Sequence, residues 1–280
     1  MIESHDGPIA AGLASRDEPG RALVARSLSK RFGPVHAVRG VDLDLSTGEV
    51  VGLVGDNGAG KTTLVNMLAG VLRPDSGSIQ IGGVERVFEN PADARNVGIE
   101  TVFQNLHLIS TLDIAENVFL NRERYHGGPL GLLKIIDKRG MRRQVSERLA
   151  ELGLPLPAPT TKVGSLSGGQ RQAVAIARAV FWRSDVLLLD EPSAALGTRQ
   201  TEIVLSLIER LKQHNVAIIF ISHNLPQVMR VSNRIVVMRL GQKVMDAARA
   251  TCSASDIVTH MTGAGLVEPA LDGASEDGRR

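Results

Sequence analysis

The sequence predicts an α/β fold built on a largely parallel sheet. Three runs, 50–54, 186–190 and 217–222, are almost wholly apolar, as central strands covered on both faces require. Helix-like segments fall near 60–71, 138–152, 168–183, 198–214 and 224–231. Strands and helices alternating along one chain are the pattern of a sheet with crossover helices.

Further β-branched runs at 23–26, 41–45, 79–81, 98–103 and 235–238 read as strands. The stretch 105–165 breaks the rhythm. It holds helix-like pieces, a turn at Gly127-Gly128-Pro129 and a Pro-rich segment at 155–159, and reads as a mostly helical insert. One domain is expected over 22–262. Residues 1–21, with no continuous apolar stretch, read as a disordered lead-in, and 263–280, rich in Gly, Asp and Ala, as a flexible tail. No apolar run approaches the roughly 18 residues of a spanning helix.

The 280 residues can bury a full core, and 43% are apolar. Net charge is +2, and 25 of the 32 basic residues are scattered arginines. Nothing in that balance suggests a broad nucleic-acid footprint. A single cysteine, Cys252, excludes an internal disulfide and a multi-thiolate metal site, and suits a reducing compartment.

Gly55-Asp56-Asn57-Gly58-Ala59-Gly60-Lys61-Thr62 fits the pattern G-x4-G-K-[ST], followed by Thr63. It leaves one apolar run and opens a helix-like one. Its glycines let backbone N–H groups turn toward phosphate oxygens, and the helix start adds a positive dipole end. Lys61 is expected on the β and γ phosphates, and Thr62 on Mg²⁺. The motif occurs once, so the chain carries one nucleotide-binding unit.

The run 186–190 ends in Asp190-Glu191. A buried strand puts Asp190 at its C-terminal end, where open α/β sheets bind ligands. Asp190 is expected on the Mg²⁺ side, with Glu191 as general base or water-polarising group. The pair is only moderately specific without the phosphate loop.

Leu166-Ser167-Gly168-Gly169-Gln170 completes the set. With these motifs the sequence resembles the ABC ATPase family over about residues 22–246. The resemblance implies a P-loop NTPase of ABC type, with a mixed, mostly parallel sheet, an antiparallel β subdomain and a helical subdomain near 105–165. It implies that Ser167, Gly168, Gly169 and Gln170 contact the γ-phosphate held by an opposite subunit. A helix beginning at 168 would present unpaired N–H groups to that anion.

By the same resemblance, Gln104 looks like the glutamine that senses Mg²⁺ and the attacking water, and His223 like the switch histidine on the γ-phosphate. His223 ends an apolar run. The other histidines (His5, His36, His107, His126, His214, His260) are assigned to structural or solvated roles. Phe32 stands where the family stacks an aromatic on adenine; a plain packing role stays open for it. One position departs from the family. Gly197 ends Ser193-Ala194-Ala195-Leu196-Gly197 where an Asp is usual.

The wording of 98–106, 114–120, 190–196 and 221–224 resembles ATP-binding subunits of bacterial monosaccharide importers of the ribose, xylose and fructose group. That implies a homodimer sandwiching ATP and Mg²⁺ head to tail. It also implies transmembrane permease subunits, a secreted solute-binding protein and a peripheral place on the cytoplasmic face of the inner membrane. The alternatives are the ATPase of a non-sugar ABC transporter, or a soluble ABC ATPase acting on nucleic acid or the ribosome.

Overall fold

A computed structural model describes residues 20–103, 106–126, 134–154, 156–182 and 184–264. Gln104, the turn at Gly127-Gly128-Pro129, Pro155 and most of both expected tails lie outside the described residues.

In chain order the elements are β1 (Arg21–Phe32), β2 (Val35–Ser46), β3 (Val50–Val54), α1 (Lys61–Leu68), β4 (Ser76–Ile81), β5 (Val84–Arg86), α2 (Pro91–Asn96) and β6 (Ile99–Val102). Next come α3 (Ile114–Val118), α4 (Lys138–Glu151), a 3-10 turn at Val163–Ser165, α5 (Gly168–Phe181), β7 (Val186–Asp190) and α6 (Thr198–Gln213). The described chain closes with β8 (Ala217–Ile221), α7 (Leu225–Val231), β9 (Arg234–Arg239), β10 (Gln242–Ala248) and α8 (Ala254–Thr262).

Two sheets organise these elements. The larger runs β10-β9-β3-β8-β7-β6 and is parallel except for β10 at its edge. The smaller, β2-β1-β4-β5, is antiparallel throughout. This is the mixed α/β architecture the sequence predicts.

The apolar runs follow from burial on both faces. In β8, Ile218 and Phe220 enter a core beneath α4 to α8, while Ala217, Ile219 and Ile221 enter a second core shared with α1 and the antiparallel sheet. In β7, Leu187 and Leu189 face the first core, and Val186 and Leu188 the second. Each such Val, Leu, Ile or Phe side chain contributes roughly 1.5–3 kcal/mol by leaving water. The strands β5 and β10 and the helices α2 and α8 were not expected from the sequence. β10 lies half-exposed at an edge and lacks the β-branched run that marks a central strand.

Between β6 and β7 the chain leaves the parallel sheet. A buried polar network fixes this segment. Asp113 and Glu116 form a reciprocal capping box on α3. Asp113 is fully buried and accepts from Arg142 of α4 at 2.7 Å. Asn117, also fully buried, accepts from the Ile109 N–H at 2.7 Å and donates to the carbonyls of Ile109 and Asp113. Lys138 donates to Glu116 at 2.7 Å. Phe119, Phe181 and Trp182 stack edge to face at 4.9–5.2 Å, joining α3 to the end of α5. The Trp182 ring N–H donates to the Val118 carbonyl at 3.2 Å.

The Lys138 bond, the Asp113 N–H and the charges of Lys138 and Lys162 hold the Glu116 carboxyl below the ordinary carboxylate value, although burial opposes them. A depressed native value means the stabilisation is present above the unfolded value of 4.5 and is lost as pH falls through the native value. Glu116→Gln should therefore lower Tm at pH 7 by about 2–4 °C. The gap to wild type should close as the buffer is acidified below the ordinary glutamate range. Parallel melting curves of the two proteins across pH check this.

Candidate active site

The loop between β3 and α1 turns on Gly55, Gly58 and Gly60, with φ of +150°, +80° and +100°. At Gly60 a Cβ would stand 2.3 Å from the Ala37 carbonyl, so the turn requires glycine. No side chain caps α1, which leaves its first N–H groups for an anion. A Cβ at Gly58 would meet nothing within 4 Å, so the mouth of the cradle is open. Lys61 Nζ donates across that mouth to the carbonyls of Gly55 (2.7 Å) and Asp56 (2.9 Å). Burial lowers its pKa; the carboxylates of Glu191, Asp190 and Asp56 oppose that shift.

Asp190 lies at the C-terminal end of β7, as expected. Burial raises its pKa and the charge of Glu191 adds to the rise, against Lys61 and a hydrogen bond from the Thr62 hydroxyl. Glu191 adopts left-handed backbone at φ +50°. Its N–H donates to the Ile221 carbonyl at 3.1 Å. The parallel register pairs Asp190 with Ile221, which sets Glu191 beside His223. Glu191 Oε2 and His223 Nδ1 are 2.9 Å apart. Lys61, Thr62, Asp190, Glu191 and His223 thus converge from three loops at one sheet edge.

The oxygen donors here, the Thr62 hydroxyl and the Asp190 carboxylate, suit a hard divalent cation. Among the described residues no group of three or more His, Cys, Asp or Glu forms a metal site alone. A cation at Thr62 and Asp190 would draw its other ligands from phosphate and water, as Mg²⁺ does.

Phe32 is about half exposed, at 47%. It lines a cleft of about 420 Å³ that continues onto 57–63. His36, Arg39 and Leu240 share that wall. His36, assigned above to a solvated or structural role, is exposed and lines the cleft. The Lys30 ammonium lies 5.9 Å from the Phe32 ring centre.

The segment 166–170 does not line this cleft. Ser167 caps α5, accepting from the Gln170 N–H at 3.3 Å, and the Gln170 side chain accepts from the Ser167 N–H at 2.9 Å. The two residues form a capping box whose S-x-x-Q signal was present in the sequence and went unread. Gly169 meets α6 closely: a Cβ there would stand 2.8 Å from that of Gln200. In the last turn of α5, Arg178 donates to the carbonyls of Leu106 and His107, both at 2.9 Å. These residues lie just beyond Gln104.

The ABC transporter family profile matches residues 38–194. The chain belongs to the ABC transporter family. It resembles a fructose import ATP-binding protein of Rhizobium meliloti, 43% identical over 86% of this chain and 94% of that protein. A xylose/arabinose import ATP-binding protein of Sulfolobus acidocaldarius is 39% identical over 86% and 93%. A ribose import ATP-binding protein of Rubrobacter xylanophilus is 39% identical over 87% of this chain but 46% of its own length, so the chain spans about half of that relative. Among solved structures, an ABC transporter cassette in its ADP conformation superposes with a TM-score of 0.73 at 25% identity, covering 88% of this chain and 97% of that one. This ABC chain is an ATPase that binds adenine nucleotide and acts in transport. Among its described residues no helix is long and apolar enough to cross a membrane.

Gly197 is the N-cap of α6 and supplies no side-chain bond to it. Its backbone is extended, and a Cβ there would meet nothing within 4 Å. An Asp would fit and could accept from the first-turn N–H groups. Gly197→Asp should raise stability by about 0.5 kcal/mol, or roughly 1–2 °C in Tm. Differential scanning calorimetry of the variant measures the gain.

Proposed function

We propose that this chain is the ATP-hydrolysing subunit of an importer for a monosaccharide, and that two copies clamp ATP between them. The observation that carries the reading is the Glu191–His223 pair at 2.9 Å, set beside Lys61, Thr62 and Asp190. The sugar-import names of the relatives support the substrate class.

In this reading Phe32 stacks on adenine. The backbone of Gly55, Asp56, Asn57, Gly58, Ala59 and Gly60, with Thr63 of the same cleft, cradles the phosphates. Lys61 leaves the Gly55 and Asp56 carbonyls to meet the β and γ phosphates. Thr62, Asp190 and Gln104 hold Mg²⁺, which when bound neutralises charge on the transferred phosphoryl group. Glu191 accepts the proton of the attacking water, and His223 orients Glu191 and faces the γ-phosphate. Ser167, Gly168, Gly169 and Gln170 complete the site of the partner copy. There the N–H groups of Gly168 and Gly169, which the Ser167 side chain does not cap, meet the same γ-phosphate. ATP then holds two chains shut because both contact one charged group, and hydrolysis releases them.

The chain has no spanning helix among its described residues, so permease subunits supply the path, with a solute-binding protein delivering sugar. This reading places the chain on the cytoplasmic face of the inner membrane. Two experiments test it. Glu191→Gln should lower turnover by at least about 100-fold while retaining ATP binding, and should accumulate as a nucleotide-bound dimer on size exclusion. Unchanged turnover would remove Glu191 from its role. For the substrate class, the chain should co-purify with its permease from membranes. The ATPase rate of that complex should rise with a monosaccharide-loaded binding protein and not with an amino-acid-loaded one.

A further inference from the structure

The left-handed conformation of Glu191, φ +50°, is one that a residue with a Cβ adopts only when its surroundings hold it. Its loop runs to Gly197, which anchors nothing through a side chain. The restraint lies in between. Ser193 is buried, 6% exposed, and its hydroxyl donates to Gln227 Oε1 at 2.5 Å.

Gln227 belongs to the first turn of α7, the helix that starts just beyond His223. Its own N–H donates to Asn224 Oδ1 at 3.2 Å, and the Asn224 N–H donates to the buried Ser222 hydroxyl at 3.1 Å. The loop after Glu191 and the segment around His223 are therefore joined three times. The joints are the Glu191 N–H on the Ile221 carbonyl, Glu191 with His223, and Ser193 on Gln227. The first is backbone, and the second is the reacting pair itself. Only the third is a side-chain contact free to act as a spacer.

We propose that Gln227 is a positioning residue for ATP hydrolysis, holding Glu191 against His223 through Ser193. This rests on the reading of Glu191 as the general base. Loss of the spacer would leave nucleotide binding intact, because neither Ser193 nor Gln227 is among the residues the proposed function assigns to the nucleotide. The base would lose its alignment, and misplacement of a reacting group acts on kcat.

The test compares Gln227→Met, Ser193→Ala, the double variant and Gln227→Glu in steady-state ATPase assays. Gln227→Met keeps length without an acceptor, and Gln227→Glu keeps the acceptor. Both single losses should lower kcat by about tenfold with KM for ATP unchanged. The double variant should be no slower than either single one, and Gln227→Glu should restore most of the rate. A wild-type kcat in either single variant, or losses that multiply in the double, would overturn the proposal. If Gln227→Met fails to fold, Ser193→Ala against Gln227→Glu decides alone. Glu191→Gln is assayed in parallel. Normal turnover there defeats the base assignment, whereas a dead Glu191→Gln beside a fast Ser193→Ala defeats only the spacer.

Discussion

The site depends on one constraint: β3, β7 and β8 run parallel, in a register that ends all three at the same edge of the sheet. Parallel pairing sends each strand into a loop on that edge, and each loop carries a different chemistry. β3 delivers the phosphate loop with Lys61 and Thr62. β7 delivers Asp190 and Glu191. β8 delivers His223. A register slip of one residue would turn every side chain of a strand to the opposite face. It would exchange the two cores as well as break the site. Burial of β7 and β8 on both faces is therefore what holds the reacting groups in place.

The 166–170 segment does two jobs with one set of atoms. Ser167 and Gln170 close a capping box, and Gly169 lets α5 approach Gln200 of α6. These are folding roles, and they would be needed without any ligand. The same geometry points the first N–H groups of α5 away from side-chain partners other than Ser167, which suits them to an anion. Loss of activity in a variant here is thus ambiguous between packing and binding. Ser167→Thr, which keeps the cap, is a cleaner probe than Ser167→Ala.

Much of the fold was legible because the central strands are buried on both sides and so read as continuous apolar runs. The phosphate loop and the acid pair were legible because their spacing is local. β1 and β2 were read as short pieces. Half-burial and repeated register shifts, as between Ala25 and Leu28, interrupt their alternation. α2 and α8 did carry signals, Asn90-Pro91 with Asp93 and Ser253 with Asp256, each a capping box. His36 and Leu240 reach the cleft only through tertiary packing, and no spacing announces them. The Ser193–Gln227 contact joins residues 34 apart in sequence and was invisible for the same reason.

The aromatic trio at the end of α5 has a mechanical consequence. Phe181 and Trp182 sit at one end of the helix and Ser167 at the other, about 21 Å away at 1.5 Å per residue. Because Phe119 contacts the far end, α3 is tied to α5 at the end remote from Ser167. Because Gly169 is packed against Gln200, a push delivered where α3 meets this helix would reach Ser167 only by shifting α5 against α6.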